Sequence, residues 1–205
     1  MNFDIQGANL RPSGASSTFA VGSETGGPVL VDAVADAAAP GPLDTWQLSV
    51  VFGQGRSDHA SLISAGVPSV FFTDSTGPCY HTAQDDADIV DYDKLHEQSL
   101  TARRLVIDLA SRADAPTLAT GLPLATYEDA VIVDTLLDRL LADLDTMTPA
   151  HQAAFLGHRA TVQGVVDAGP AAFDDDAMIS VLLAIGPVVN DILSSGACDG
   201  YLDAP

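Results

Sequence analysis

The sequence predicts an α/β protein: a partial mixed, mainly parallel sheet with flanking helices, followed by an α-helical extension. In residues 1–115, short β-branched and aromatic runs alternate with segments of helical periodicity, which is typical of strands joined through helices. Residues 126–205 are rich in Ala, Leu and Val at helical spacing, which predicts the extension. Residues 116–125 contain two prolines and a glycine between these parts, and we interpret them as a linker.

The first predicted strand covers residues 46–52, where alternating residues become fully apolar. A short helix over residues 59–65 is expected next, because Ser57 and Asp58 are good N-cap residues. Gly66 then suits the left-handed position that often ends a helix.

A second, buried strand is predicted over residues 67–73, with its proline near the start, where a missing N–H is tolerated. After a polar loop, residues 91–112 have the pattern of an amphipathic helix. Its predicted inward face consists of Leu95, Ala102, Leu105, Val106 and Leu109.

The extension is predicted to contain three or four helices. Thr126 resembles the start of a capping box for a helix that ends near Asp145. Thr148 precedes a proline at the first position of a second helix, which we expect to end at residues 169–170. Residues 174–176 would open a third helix, broken at residues 186–187, with a short segment running on to residue 196.

The charge of the chain excludes some partners. Its 28 acidic and 8 basic residues give a formal net charge of −20, which disfavours binding to nucleic acid or to an anionic membrane surface. We find no run of about 18 apolar residues and therefore expect no membrane span. The first residues lack a basic and an apolar region, so we expect no signal peptide in this chain.

Two short stretches could carry chemistry. Asp4 follows an apolar strand end and precedes a glycine turn, which would place its carboxylate at the carboxyl edge of a sheet, although a turn-capping aspartate is the simpler reading. His81 lies in a loop after a buried strand with Tyr80 beside it, which suits a metal ligand next to a phenolic donor. A loop histidine satisfied by backbone groups remains an equal alternative.

Three segments in order carry a family resemblance: NFDIQG from Asn2, GRSDHASLISAGVPSVFF from Gly55 and PCYHTAQDDADIVDYDKL from Pro78. They resemble the C-terminal half of the catalytic domain of the co-catalytic two-zinc aminopeptidases, a family that includes aminopeptidase Y, bacterial leucyl aminopeptidases and relatives of glutamate carboxypeptidase. The resemblance covers roughly residues 1–112 and implies a zinc-exopeptidase-like sheet. It also implies a metallopeptidase that releases N-terminal residues from peptide substrates.

The resemblance assigns roles residue by residue. Asp4 matches the carboxylate that binds one zinc ion, and His81 matches the imidazole that binds the other. Tyr80 matches a catalytic tyrosine that donates a hydrogen bond to the developing oxyanion, and Arg56 matches an arginine near the substrate pocket. Ser57 belongs to a motif that we interpret as a helix cap. Two zinc ions of this kind activate a shared water for attack on the peptide bond.

The sequence departs from the family in what it lacks. No His-x-Asp and no Glu-Glu sequence occurs, so the bridging ligand, a further zinc ligand and the general base have no counterpart. We therefore expect that the N-terminal half of the catalytic domain is missing, that Met1 is not the original start and that this chain is inactive alone. The alternative is a non-catalytic family member or protein-interaction module that keeps the fold without metals.

Two further expectations concern the location of the protein and its two cysteines. The family resemblance suggests a secreted or periplasmic protein. Cys79 and Cys198 could form a bridge, which sequence alone does not decide.

Overall fold

The computed structural model describes residues 1–77, residues 79–194 and Cys198, and its residues form two compact units. The first unit comprises Met1–Ala8, Ser16–Ser75 and Val90–Leu124. The second comprises Asn9–Ala15, Thr76–Ile89 and the described residues from Ala125 onward. The boundaries expected from the sequence, with a linker over residues 116–125, stay a prediction.

A four-stranded mixed sheet organises the first unit. Its strands are β1 (Asn2–Phe3), β2 (Ser17–Val21), β3 (Asp44–Leu48) and β4 (Phe71–Thr73). The spatial order is β1-β4-β2-β3, in which β1 with β4 and β2 with β3 are parallel, whereas β2 and β4 are antiparallel. The predicted α/β class with a mainly parallel sheet is confirmed.

The strands predicted over residues 46–52 and 67–73 are shorter than expected. Strand β3 ends at Leu48 and Val50–Gly53 forms a 3-10 turn, because the Val50 N–H donates to the Glu24 carboxylate at 2.7 Å instead of extending the ladder. Strand β4 starts only at Phe71, three residues after Pro68, which has no N–H to donate. The central strand β2 was not predicted.

Three helices accompany the sheet: α1 (Gly27–Ala38), α2 (His59–Ser64) and α3 (Tyr92–Ser111). The predicted short helix is α2, and Gly66 follows it with a φ of 83° as expected. Helix α1 was not predicted. The buried core consists of sheet residues with residues of α1 and α3, namely Ala20, Leu30, Ala33, Val34, Ala37, Val70, Phe72 and Leu105.

Helix α3 begins as predicted, because the Asp91 side chain accepts a hydrogen bond from the Lys94 N–H at 2.9 Å. Its inward face was predicted correctly in part, since Leu105 is fully buried and Leu109 packs against the core as expected. Val106 is 48% exposed, and the buried residues of the helix are Lys94, Gln98, Thr101 and Leu105. Two turns of this helix therefore bury polar side chains against the sheet. The spacing of apolar residues does not predict this, because it identifies only apolar faces.

The second unit contains α4 (Tyr127–Leu140), α5 (Pro149–Ala168) and α6 (Asp175–Pro187). The predicted capping box is present, since Thr126 and Asp129 each accept from the other's backbone N–H. The α-helix stops earlier than predicted, and a 3-10 helix, Leu141–Thr146, replaces its last turns. Thr148 caps α5, which ends before Gly169 as expected.

The third helix of this unit is not broken at residues 186–187. Helix α6 runs through Pro187 and continues as a π-helical turn, Val188–Leu193. Because proline lacks an N–H, the hydrogen-bond pattern changes there while the backbone stays helical. The predicted end of this segment near residue 196 lies outside the described residues.

The segment Asp175–Leu193 has the length and apolar composition of a membrane-crossing helix, with a mean hydropathy of 1.6. Apolar core helices of water-soluble proteins have the same length and composition, so this property does not decide between them. The expectation of no membrane span stays a prediction.

Candidate functional site

Asp4 stands where the sequence analysis placed it. Strand β1 pairs with β4 in parallel, and the Asp4 N–H donates to the Phe72 carbonyl at 3.2 Å. The residue is therefore the first beyond the short ladder, at the edge where β1 and β4 both end. Its exposed carboxylate is accessible to a ligand.

Ser57 holds the Asp4 carboxylate. Its hydroxyl donates to Asp4 Oδ2 at 2.7 Å and accepts from Asn2 Nδ2 at 2.6 Å. The predicted role of Ser57 and Asp58 as helix caps is wrong, because Asp58 has helical backbone angles and no side chain caps α2. Ser57 instead orients one oxygen of Asp4. Among the described residues no hydrogen bond reaches the other oxygen.

Arg56 is exposed in the loop that precedes α2. Its backbone N–H donates to the Gly53 carbonyl at 3.1 Å, which closes a tight turn directly before Ser57. The chain thus brings Asp4, Arg56 and Ser57 into one region of the first unit. The substrate-binding role of Arg56 stays a prediction.

Tyr80 and His81 lie in a loop of the second unit. Their rings stack with centroids 3.8 Å apart and an interplanar angle of 21°. His81 is exposed and Tyr80 half-buried. The phenolic hydroxyl has no hydrogen-bond partner in the described part of the chain.

The backbone of this loop is strained on both sides of Tyr80. Cys79 and His81 have φ values of 60° and 61°, which non-glycine residues rarely adopt. Such conformations persist where several surrounding contacts hold the backbone in place. Here a disulfide joins Cys79 to Cys198, and the N–H and hydroxyl of Thr82 donate to the Cys79 carbonyl at 2.9 Å and 2.6 Å.

A carboxylate and an imidazole are suitable zinc ligands. Asp4 and His81 offer one of each, and they belong to different units. Within residues 1–77, residues 79–194 and Cys198, no group of three or more His, Cys, Asp or Glu side chains forms a metal-binding cluster. The donor types fit zinc, but the ligand number falls short of a catalytic site.

His59, which the sequence analysis did not assign as a ligand, is fully buried. Its ring stacks on Phe71 with centroids 4.6 Å apart and an interplanar angle of 8°. Neither ring nitrogen has a hydrogen-bond partner among the described residues, and burial lowers the pKa of the imidazole. We interpret His59 as a packing residue of α2.

Sequence reasoning missed a buried polar cluster beside Asp4. Lys94 Nζ lies 3.2 Å from Asp74 Oδ1, and the Gln98 amide donates to the same oxygen at 2.7 Å. The charged side chains are only 3% and 1% exposed. The only available signal was the placement of Lys94 and Gln98 four residues apart, on one face of a helix.

Comparison with known proteins gives one match. The model of peptidase family M28 matches residues 2–106, which is about half of the chain. No curated protein matches the chain, and no solved structure matches it either. The matched range contains Asp4, Arg56, Tyr80 and His81.

Proposed function

Because the chain belongs to peptidase family M28, we propose that it forms part of a zinc-dependent aminopeptidase with two metal ions. The family consists of metallopeptidases that are generally zinc-dependent. The observation that carries the proposal is the exposed Asp4 carboxylate, one oxygen of which is oriented by Ser57 and the other left without a hydrogen bond in the described structure. That arrangement suits a ligand whose geometry is fixed by a neighbouring hydroxyl.

Asp4 and His81 are proposed to bind one zinc ion each. Zinc would supply a water of lowered pKa that attacks the scissile carbonyl. Tyr80 would donate its phenolic hydrogen to the oxygen that becomes negatively charged, a type of contact worth about 2.7–4 kcal/mol in the transition state. Arg56 would contact the peptide substrate beside Asp4.

The remaining ligands and the general base are proposed to come from a segment with His-x-Asp and Glu-Glu sequences, which these 205 residues do not contain. Catalytic zinc ions normally have about three protein ligands. The chain alone would therefore bind zinc weakly and have no activity.

A secreted or periplasmic location is also proposed. The Cys79–Cys198 disulfide supports it, because such bonds persist in oxidising compartments and are rare in the cytosol of mesophiles. Thiol counting after rapid alkylation of cells tests the location: no free thiol is expected in the protein, and two alkylated cysteines would contradict it.

Equilibrium dialysis against Zn²⁺ tests the ligand assignment. Asp4→Ala and His81→Ala are each expected to lower zinc uptake. The matched controls are Asp85→Ala and His96→Ala, which remove exposed side chains of the same types and should leave uptake unchanged. If the wild-type chain takes up zinc and Asp4→Ala and His81→Ala take up as much, the ligand assignment is contradicted and the non-catalytic module is favoured.

Hydrolysis of aminoacyl p-nitroanilides tests the inactivity of the chain. With added zinc, the purified 205-residue protein is expected to show no turnover above background. Clear zinc-dependent release of p-nitroaniline would show that the chain contains a complete site. A carboxyl-blocked and an amino-blocked peptide, supplied in parallel, would then identify the end that is cleaved.

A further inference from the structure

The loop that follows Asp4 has an unusual backbone. Ile5 has a φ of 57° and Gly7 a φ of 67°. The left-handed region is a genuine outlier for a β-branched residue such as Ile5 and costs about 1–3 kcal/mol. This strain begins at the residue next to the proposed metal ligand, so something must hold the loop in place.

Backbone contacts fix the loop from two sides. The Ile5 carbonyl accepts from the Asp74 N–H at 2.8 Å, and the Gly7 carbonyl accepts from the Asp91 N–H at 2.8 Å. A Cβ atom at Gly7 would lie 2.9 Å from the Asp91 carbonyl oxygen, which shows how closely the loop approaches the start of α3.

Side chains complete the attachment. The Gly7 N–H donates to Gln98 Oε1 at 2.8 Å, and the Ala8 N–H donates to Asp74 Oδ2 at 2.9 Å. Lys94 Nζ donates to the Ala8 carbonyl at 2.8 Å. Every one of these contacts involves the buried cluster of Asp74, Lys94 and Gln98 described above.

Filling a core with buried charged side chains is energetically unfavourable compared with apolar side chains. Moving a lysine and an aspartate out of water costs several kcal/mol per ion, and an apolar pair of similar volume is often as stable or more so. The burial of Lys94 lowers its pKa, and the neighbouring Asp74 carboxylate only partly counters that effect. Stability alone therefore does not explain the charges, whereas their contacts with Gly7 and Ala8 do.

We infer that Asp74, Lys94 and Gln98 are positioning residues that set the place of the Asp4 carboxylate by clamping the loop over residues 5–8. This inference rests on the proposed function, in which Asp4 binds zinc. The cluster acts through the loop backbone, and Ser57 acts on the carboxylate itself.

The test compares three variants of the full chain. Lys94→Met/Asp74→Leu removes both charges together, so that no unpaired ion is left in the core. Gln98→Met removes the amide at nearly constant size. Arg104→Met is the matched control, because Arg104 lies on the same helix and donates to the Ala37 carbonyl, away from the loop.

The first readout is amide hydrogen exchange, followed by NMR without metal. We expect exchange at Gly7 and Ala8 to rise at least tenfold in both cluster variants and to stay unchanged in Arg104→Met. The amides of α1 and the urea midpoint should stay near their wild-type values. Unchanged exchange at Gly7 and Ala8, or an equal rise at every amide, would overturn the inference.

The second readout is a Zn²⁺ titration followed by the Asp4 carboxyl carbon shift. Loss of the clamp is expected to lower the zinc affinity measured from this shift about 10- to 100-fold. Faster loop exchange with an unchanged zinc affinity would overturn the positioning role. No zinc-dependent shift at Asp4 in the wild-type chain would count against the proposed function, while hydrogen exchange would still decide whether the cluster holds the loop.

Discussion

The roles of single residues in this protein do not follow from their residue type alone. Ser57 has the sequence context of a helix cap, yet its hydroxyl donates to Asp4. His59 follows in the same motif, and its ring packs against Phe71 with no exposed surface. In both cases a strand end determines the role, because β1 and β4 bring Asp4 and Phe71 to these side chains.

Gly7 is expected to tolerate no side chain. Gly7→Ala combines the strain of a positive φ, about 1–2 kcal/mol, with overpacking against Asp91 and Val90, about 1–3 kcal/mol more. Gly66→Ala is the control, since Gly66 has a φ of 83° but no atom within 4 Å of an added Cβ. Urea unfolding measures both losses, and equal losses would contradict a steric role for the close approach at Gly7.

The burial of His59 predicts a pH dependence of stability. Because its pKa is lowered in the folded chain, the unfolded chain binds a proton first as the pH falls below about 6.5. The contribution of neutral, buried His59 to the free energy of unfolding is present above that pH. It is lost as the pH falls towards the pKa of His59 in the folded chain.

Urea midpoints at pH 7.5 and pH 5 measure this effect. His59→Leu is expected to lose less stability between these two pH values than the wild-type chain. His96→Leu, which removes an exposed histidine of α3, should behave as the wild type. An equal loss in all three proteins would exclude His59 as the source.

At the scale of elements, local signals predicted helix ends better than they predicted strands or faces. The capping box at Thr126 and the cap at Thr148 depend on side chains within three residues, so the sequence contains them completely. The inward face of α3 depends on Asp74, which is distant in sequence and supplies the partner that makes a buried Lys94 tolerable. The spacing of apolar residues gives no information about such a partner.

The cap at Thr126 should stabilise the second unit measurably. Thr126→Ala is expected to lower the free energy of unfolding by about 1 kcal/mol, because it leaves the Asp129 N–H without its acceptor. Thr126→Ser keeps the hydroxyl and should lie near the wild type. Thermal unfolding followed by circular dichroism compares the two, and equal midpoints would show that the cap contributes nothing.

For the whole molecule, the sequence motifs predicted the fold class and the position of Asp4 but left other features hidden. Strand β2 and helix α1 have no motif, and β2 is a central strand whose Ser17 and Thr18 are buried through contacts with distant residues. The pairing of Cys79 with Cys198 spans 119 residues, and no spacing rule predicts it.

Removal of this disulfide is expected to be costly. In the chain-entropy model a closed loop of about this length corresponds to about 5 kcal/mol of stability. Cys79→Ser/Cys198→Ser should therefore unfold at a clearly lower temperature than the oxidised wild type. Reduced wild-type protein is the control and should match the double variant. A double variant as stable as the oxidised protein would rule out a stabilising role for the bond.

The same bond has a consequence for proteolytic processing. A protease that cuts once at any point between Cys79 and Cys198 would leave two polypeptides that remain covalently joined. The loop with Tyr80 and His81 would thus stay attached to the far end of the helical extension after such a cut. On a gel, the nicked protein would migrate as one species without reductant and as two with it.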